Sequence, residues 1–262
     1  MNDPSCTPLQ IREVFHLEFL RWFSRKMNAE SYSLKGGVNL RLFFQSIRYS
    51  EDMDIDITGI RVDKVKKTVM DILSTRGFGD NLKLFGIEKI IPPNITKAKQ
   101  TETTQRFKIH LLISSGEDLF TKVDISRRGM KGTTIVEPVS STILRSYKMG
   151  PLLVPHYDTA SAVVQKIHAL AQRSVLQARD IFDLFVLSSQ YTKTRRNTYE
   201  LSKTVLKTAY ENIFLVGFPQ FRDTVVSYLG SEDQKSYSSP AVWNEVKLKT
   251  AHFLEELKNE EK

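Results

Sequence analysis

The sequence has a single cysteine, Cys6, among 262 residues, so it can form no disulfide within the chain and no cysteine-based zinc site. It has no apolar run of the roughly 18 residues that a membrane span needs. The opening Met1-Asn2-Asp3-Pro4 carries neither a basic nor an apolar stretch, which predicts neither a secretory leader nor a membrane anchor. Histidine is scarce as well: His16, His110, His156, His168 and His252 fall at no metal-ligand spacing. No repeat and no low-complexity segment is present. These absences predict a protein of the reducing cytoplasm. What is there suits a folded chain. Hydrophobic residues make up 40%, with 15 Phe and 9 Tyr to fill a core, and a charged content of 26% excludes wholesale disorder. Lys and Arg number 38 against 30 Asp and Glu, a net charge of +8. That excess favours polyanionic partners such as nucleic acid or nucleotides, although many cytosolic proteins carry it without binding either.

Patterning divides the chain in two. Thr7-Pro8 reads as a helix start, with Ile11, Val14, Phe15, Phe19 and Trp22 forming an apolar stripe broken only by Glu18, up to about Met27. A short strand, 32–34, runs through Lys35-Gly36-Gly37 into a helix over about 38–45. Met53, Ile55 and Ile57 then alternate with acids as a strand does. A helix is predicted over 62–75, a turn over Gly77–Asn81, and β structure over 82–91, 103–114 and 119–126. Ser115-Gly116-Glu117-Asp118 makes a hairpin of the last two. From Thr159 the periodicity is helical, and Ser239-Pro240 opens a final helix. The switch near Gly150-Pro151 and Pro155 predicts two lobes, a mixed α and β part over 1–150 and a helical part over 151–262.

The chemistry is concentrated between Leu34 and Ile57. Paired glycines between a strand and a helix let the backbone approach a ligand, and free N–H groups at the helix start suit phosphate. Asp52 and Asp54, two apart in a strand, project to one face. Carboxylates so placed repel unless a cation lies between them, and magnesium, with its oxygen ligands and phosphate partners, suits the pair. Asp124, between Val123 and Ile125 in another strand, is the candidate third carboxylate of a two-metal site for in-line phosphoryl or nucleotidyl displacement. Later, Lys166, Leu170 and Arg173 share one helix face, where two cations a turn or two apart call for an anion. A triphosphate fits that place, with Lys166 as its clamp, and Asp180 and Asp183 are spaced to orient the cations.

Two motifs carry a resemblance. Lys35-Gly36-Gly37-Val38-Asn39-Leu40 is followed by Arg48-Tyr49-Ser50-Glu51-Asp52-Met53-Asp54. Further on, Lys166-Ile167-His168-Ala169-Leu170-Ala171-Gln172-Arg173 is followed by Arg179-Asp180-Ile181-Phe182-Asp183-Leu184. In this order they resemble the AbiEii/AbiGii-like nucleotidyltransferase toxins, of the DNA polymerase β-like superfamily. The resemblance covers about 34–187. It implies an α+β fold, with a nucleotidyltransferase-type mixed sheet flanked by helices and a helical C-terminal lobe that completes the site. It further implies a magnesium-dependent enzyme of a type IV toxin–antitoxin system that passes NMP from an NTP to an acceptor, with a cognate antitoxin as partner. Some relatives act on tRNA 3′ ends, which suits an RNA acceptor. By the same resemblance Asp52, Asp54 and Asp124 bind metal and, with Lys166, are catalytic. Gly36, Gly37, Asn39, Arg48, Ser50, Arg173 and Asp180 hold the nucleotide. The family often has Thr or Ser where this chain has Val38, and the neighbouring Asn39 is then the side chain able to donate to phosphate.

Plainer readings stand beside these. Asp56 extends the acidic series and is expected to be a solvated strand residue. Arg48 can be scaffold, paired with the strand acids. Lys166 and Arg173 can be a solvated face, and Asp180 a structural ion-pair partner. His168 suits packing or solvent, Phe43, Phe44, Phe182 and Phe185 suit the core, and Lys193, Arg195, Arg196, Lys203 and Lys207 form the most RNA-like stretch. The rival functions are transfer to a protein or small molecule, and a catalytically silent nucleotide- or RNA-binding module.

Overall fold

The computed structural model describes residues 6–94, 100–192 and 201–260. A first unit takes in the described residues up to Phe43 together with Tyr49–Tyr157, and a second combines Phe44–Arg48 with the chain from Asp158 onward. The first unit begins with α1 (Pro8–Lys26). Thr7 caps it reciprocally: its side chain accepts from the Gln10 N–H while the Gln10 side chain accepts from the Thr7 N–H. Glu18, the interruption in the apolar stripe, is buried and accepts from Trp22 Nε1 at 2.8 Å and Asn81 Nδ2 at 2.7 Å.

β1 (Tyr32–Lys35) runs straight into α2 (Gly36–Phe43). Then follow β2 (Asp52–Ile57), α3 (Val62–Ser74), α4 (Arg76–Lys83), β3 (Ile87–Ile91), β4 (Thr104–Ile113), β5 (Asp118–Ser126), β6 (Thr134–Pro138), α5 (Ser141–Ser146) and β7 (Leu153–Tyr157). The strands form one mixed sheet in the order β3-β4-β5-β2-β1-β7-β6. β2 runs parallel to β5 and β1 parallel to β7, while the other neighbours are antiparallel. This is the α+β mixed sheet that the sequence predicts. Gly116, at φ 83°, takes the left-handed turn of the β4–β5 hairpin.

The two-residue period sorts the sheet's side chains. Met53, Ile55, Val123, Ile125, Phe107 and Ile109 enter one core cluster with apolar residues of α1, α3 and α4. The alternate positions carry Asp52, Asp54, Arg106, Lys122 and Asp124, all half-buried. Helices thus cover one face, and the sheet's charges are turned to the other.

Three features of this unit differ from the sequence reading. Gly77–Asn81 is no turn but part of α4, because Phe78 and Leu82, one helical turn apart, are fully buried. Phe78 meets Phe15 and Trp22 edge-on at 5.9 and 6.4 Å, and that burial outweighs the glycines' preference for other conformations. Leu82 and Lys83 belong to the same helix, so the strand begins only at Ile87. β6, α5 and β7 are additions, and the unit accordingly extends through Tyr157 rather than ending at Gly150-Pro151. Pro155 argues locally against a strand, yet β7 pairs with β6 over its whole length and with β1 at Leu34–His156.

In the second unit Asp158 caps α6 (Thr159–Gln172) by accepting from the Ser161 N–H at 2.8 Å. α7 (Ala178–Ser188), α8 (Lys203–Leu215), α9 (Phe218–Thr224), α10 (Ser231–Tyr237) and α11 (Pro240–Glu260) complete it. Its core is aromatic: Trp243 stacks on Phe221 with centroids 4.3 Å apart, and Phe221 packs against Phe182. Among the described residues no helix is long and apolar enough to cross a membrane.

Candidate active site

The carboxylates meet through strand register. β2 and β5 pair in parallel with Asp52 opposite Lys122 and Asp54 opposite Asp124, so Asp52, Asp54 and Asp124 share one face of adjacent strands. Cations sit among them. Lys122 Nζ lies 2.6 Å from Asp52 Oδ2, and Arg106 of β4 grips Asp124 with two hydrogen bonds of 2.7 Å. Asp124 first, then Asp52 and Asp54, hold the Arg106 guanidinium above its ordinary pKa. Ser50 fixes the entry to β2 by donating to the Asp52 carbonyl at 2.9 Å.

Gly36 lies against these acids. Its φ is 69°, and a Cβ on it would stand 2.7 Å from Asp54 Oδ2, so only glycine lets α2 begin this close to the carboxylate. Gly37 follows in the first turn of α2. Asn39 has another task than phosphate. It is buried, its Nδ2 donates to the Tyr157 carbonyl at 3.1 Å, and its Oδ1 lies 2.9 Å from His156 Nδ1. Asp56 is not solvated: it is buried, 2.5 Å from Lys35 Nζ, and accepts from the Tyr157 hydroxyl at 2.8 Å.

Oxygen-only donors on one face suit a hard divalent cation. Among the described residues, however, no three His, Cys, Asp or Glu side chains are gathered as a metal-holding group. Both oxygens of Asp124 are taken by Arg106. Asp52 is engaged as well, by Lys122 at 2.6 Å, so an ion held by these acids would take the place of both cations. Arg106 and Lys122 carry this site's electrostatics and went unassigned in the sequence. Their signal was position: Lys122 stands two residues before Asp124, hence on its face, and Arg106 alternates with buried Gln105 and Phe107.

The second unit holds a separate charge cluster. Lys166 is no solvated residue: its Nζ lies 2.6 Å from Asp183 Oδ2 and 3.1 Å from Asp180 Oδ1, and both acids are wholly buried. Arg173 Nε lies 2.9 Å from the other Asp180 oxygen. The scaffold role expected of Arg48 is directed at Asp183, whose carboxylate oxygens its Nη2 meets at 3.0 and 3.1 Å. Burial works against the Lys166 ammonium, but Asp183 and Asp180 outweigh it and hold its pKa above the ordinary lysine value. Burial likewise opposes the Asp183 carboxylate, and Arg48 and Lys166 hold its pKa below the usual carboxylate range. His168 lies 3.2 Å from the Gln172 side chain. Lys193, Arg195 and Arg196 lie outside the described residues, while Lys203 and Lys207 stand exposed on α8.

The sequence model of the "Nucleotidyl transferase AbiEii toxin, Type IV TA system" family matches residues 18–256. No curated protein matches the sequence significantly. Among solved structures, MenT4, a nucleotidyltransferase toxin from Mycobacterium tuberculosis, is similar with a TM-score of 0.60 at 16% identity, covering 94% of this chain and 84% of that one. JHP933 from Helicobacter pylori is similar with a TM-score of 0.55 at 16% identity, covering 98% and 94%. At such identities the structures attest the fold, and the family match carries the activity. The chain belongs to the AbiEii family of nucleotidyltransferase toxins of type IV toxin–antitoxin systems.

Proposed function

We propose that this chain is a magnesium-dependent transferase that passes a nucleoside monophosphate from an NTP to an RNA acceptor, a tRNA foremost, in the cytoplasm, with a cognate antitoxin as its partner. The observation that carries the reading is the register that sets Asp54 beside Asp124, with Asp52 on the same face and Gly36 against Asp54. In this reading Asp52 and Asp54 hold the metal, joined by Asp124. Magnesium there supplies positive charge against the phosphates and the attacking oxygen. Gly36 and Gly37 offer the backbone N–H groups of the first turn of α2 to the β- and γ-phosphates, a task that Val38 and the occupied Asn39 leave to the main chain. The acceptor hydroxyl oxygen forms a bond to the α-phosphorus while the bond from that phosphorus to the bridging oxygen breaks. Pyrophosphate departs, and the hydroxyl proton passes to an Asp124 oxygen released from Arg106. Lys166 and Arg173 are assigned to the triphosphate, with Asp180 and Arg48 as positioning residues. Ser50 keeps Asp52 in place through its carbonyl.

The test is label transfer: purified chain, Mg²⁺ and each α-labelled NTP in turn, with total RNA and whole-cell protein as acceptors. A labelled tRNA-sized band, lost with EDTA and in a folded Asp54→Ala variant, is the expected result. Label appearing on protein would assign a different acceptor. Full transfer by Asp54→Ala would remove Asp54 from the metal site.

A further inference from the structure

The side chains of β4 and β5 on the carboxylate side form a face of definite composition. Along β5 the same-face residues are Phe120, Lys122 and Asp124, and opposite them on β4 stand His110, Lys108 and Arg106. Phe120 is 60% exposed, an unusual position for a phenylalanine on the flat of a sheet. Its ring stacks on His110 with centroids 4.6 Å apart and planes at 16°, which makes a broad two-ring platform. Its backbone is held by Arg12, whose Nε donates to the Phe120 carbonyl at 2.9 Å. Lys108 is exposed beside it and Lys122 half-exposed, while Asp118 lies 3.1 Å from His110 and Glu51 3.4 Å from Arg12.

Aromatic rings on a sheet surface flanked by cations stack bases and take phosphates, and they favour single strands, whose bases are free to splay. Same-face residues of a strand are about 7 Å apart, so Phe120 lies roughly 14 Å from Asp124 along β5. A chain stacked on Phe120 and passing Lys108 and Lys122 would bring its end to the carboxylates. We propose that this face is the docking track for a single-stranded RNA 3′ end, with Phe120 and His110 stacking a base upstream of the reacting nucleotide. The assignment deepens the transferase reading of Asp52, Asp54 and Asp124 and rests on it for the direction of the strand. Charge supports RNA over a protein acceptor through Lys108, which stands exposed on the track, in a chain whose net charge is +8; Arg106 and Lys122 are matched by Asp124 and Asp52.

The experiment measures fluorescence anisotropy of a labelled single-stranded RNA with a free 3′ end against the full chain, without NTP. Binding unchanged in Lys64→Ala, an exposed lysine of α3 outside the track, is expected. Phe120→Ala is expected to weaken it about tenfold, and Phe120→Trp to retain it. Lys108→Ala is expected to weaken it severalfold and to lower the salt slope by about one. Unchanged affinity in a folded Phe120→Ala overturns the proposal, and so does failure of wild type to bind the RNA. The two readings separate in the transfer assay. Label on protein that is insensitive to Phe120→Ala leaves the transferase standing and removes the track. RNA binding that depends on Phe120, with no transfer to any acceptor, does the reverse.

Discussion

Lys166→Met removes the cation that lies between two wholly buried carboxylates, Asp183 at 2.6 Å and Asp180 at 3.1 Å. The group of Arg48, Lys166 and Arg173 with Asp180 and Asp183 then falls from one excess positive charge to neutrality. Among the described residues Asp180 then keeps Arg173, whose side chain is 40% exposed. Breaking a buried ion pair from one side costs about 3–5 kcal/mol, because the orphaned charge stays out of water. With a urea slope of about 1.5 kcal/mol/M for a unit of this size, the midpoint should fall by roughly 2–3 M. The two tryptophans make the assay specific. Trp22 belongs to the first unit and Trp243, stacked on Phe221, to the second, so a Trp22→Phe background reports the second alone. The loss has a pH signature. Lys166 is held above its ordinary pKa, so its contribution is full below the unfolded lysine value and is lost as pH rises through the folded one. Asp183 is held below its ordinary pKa, so its contribution is present above the unfolded carboxylate value and is lost as pH falls through the folded one. The gap between wild type and Lys166→Met should therefore be widest from about pH 5 to pH 10 and close at both extremes. A midpoint shift below about 0.5 M at pH 7 would refute the buried-network account and return Lys166 to an ordinary solvated face.

Acid should act on the first unit through His16. Burial, then the Arg12 charge, lowers its pKa to about 3. The neutral ring's stabilising contribution is present above the unfolded value of about 6.5 and is lost as pH falls toward the folded one. Trp22 fluorescence should show roughly 1.4 kcal/mol lost per pH unit below 6. His16→Gln, which keeps a donor toward Thr121 Oγ1, should flatten that slope, and an unaltered slope would refute the assignment. Gly36→Ala puts a Cβ 2.7 Å from Asp54 Oδ2 at a φ of 69°. It should cost about 1–2 kcal/mol of stability yet lower transfer roughly a hundredfold through displacement of Asp54; equal transfer would separate Gly36 from the site. Asp56→Asn should do the opposite, lowering the first unit's stability by about 1–3 kcal/mol while transfer persists, since Asp56 serves Lys35 and Tyr157. Abolished transfer in that variant would move Asp56 into the metal site.

What the sequence disclosed tracks the range of the interactions concerned. Alternation of Met53, Ile55 and Ile57 with acids is local, and it placed Asp52 and Asp54 on one face before any partner strand was known. The Ser115–Asp118 turn and the Thr7 cap are equally local. Where burial by distant residues decided the outcome, local signals failed. Phe78 makes Gly77–Asn81 helical by packing on Phe15 and Trp22 of α1, and β7 is a strand despite Pro155 because β6 and β1 pair with it. Asn39 misled for the same reason. Beside a glycine pair it reads as a phosphate donor, but its partners Tyr157 and His156 come from β7, a strand that local patterning did not disclose.

The distribution of countercharge ties the two units' chemistry to one requirement. Asp52 and Asp124 repel each other and Asp54 across adjacent strands, and repulsion in a half-buried face must be met by something. Lys122 and Arg106 meet it, from neighbouring positions on β5 and β4. The match is unequal: Lys122 offers one contact to Asp52, whereas Arg106 takes both oxygens of Asp124. A divalent ion held by Asp52 would take the place of one flexible amine there, while recruiting Asp124 would require a bidentate pair to open. Arg106 is the group able to do this at low cost, since its side chain is 41% exposed and water can take over its donors. In the second unit the acids Asp180 and Asp183 are wholly buried, so their pairing with Lys166 has less freedom to rearrange. The exposed Arg106 clamp is thus the more easily opened of the two, and the buried acids are suited to hold Lys166 still.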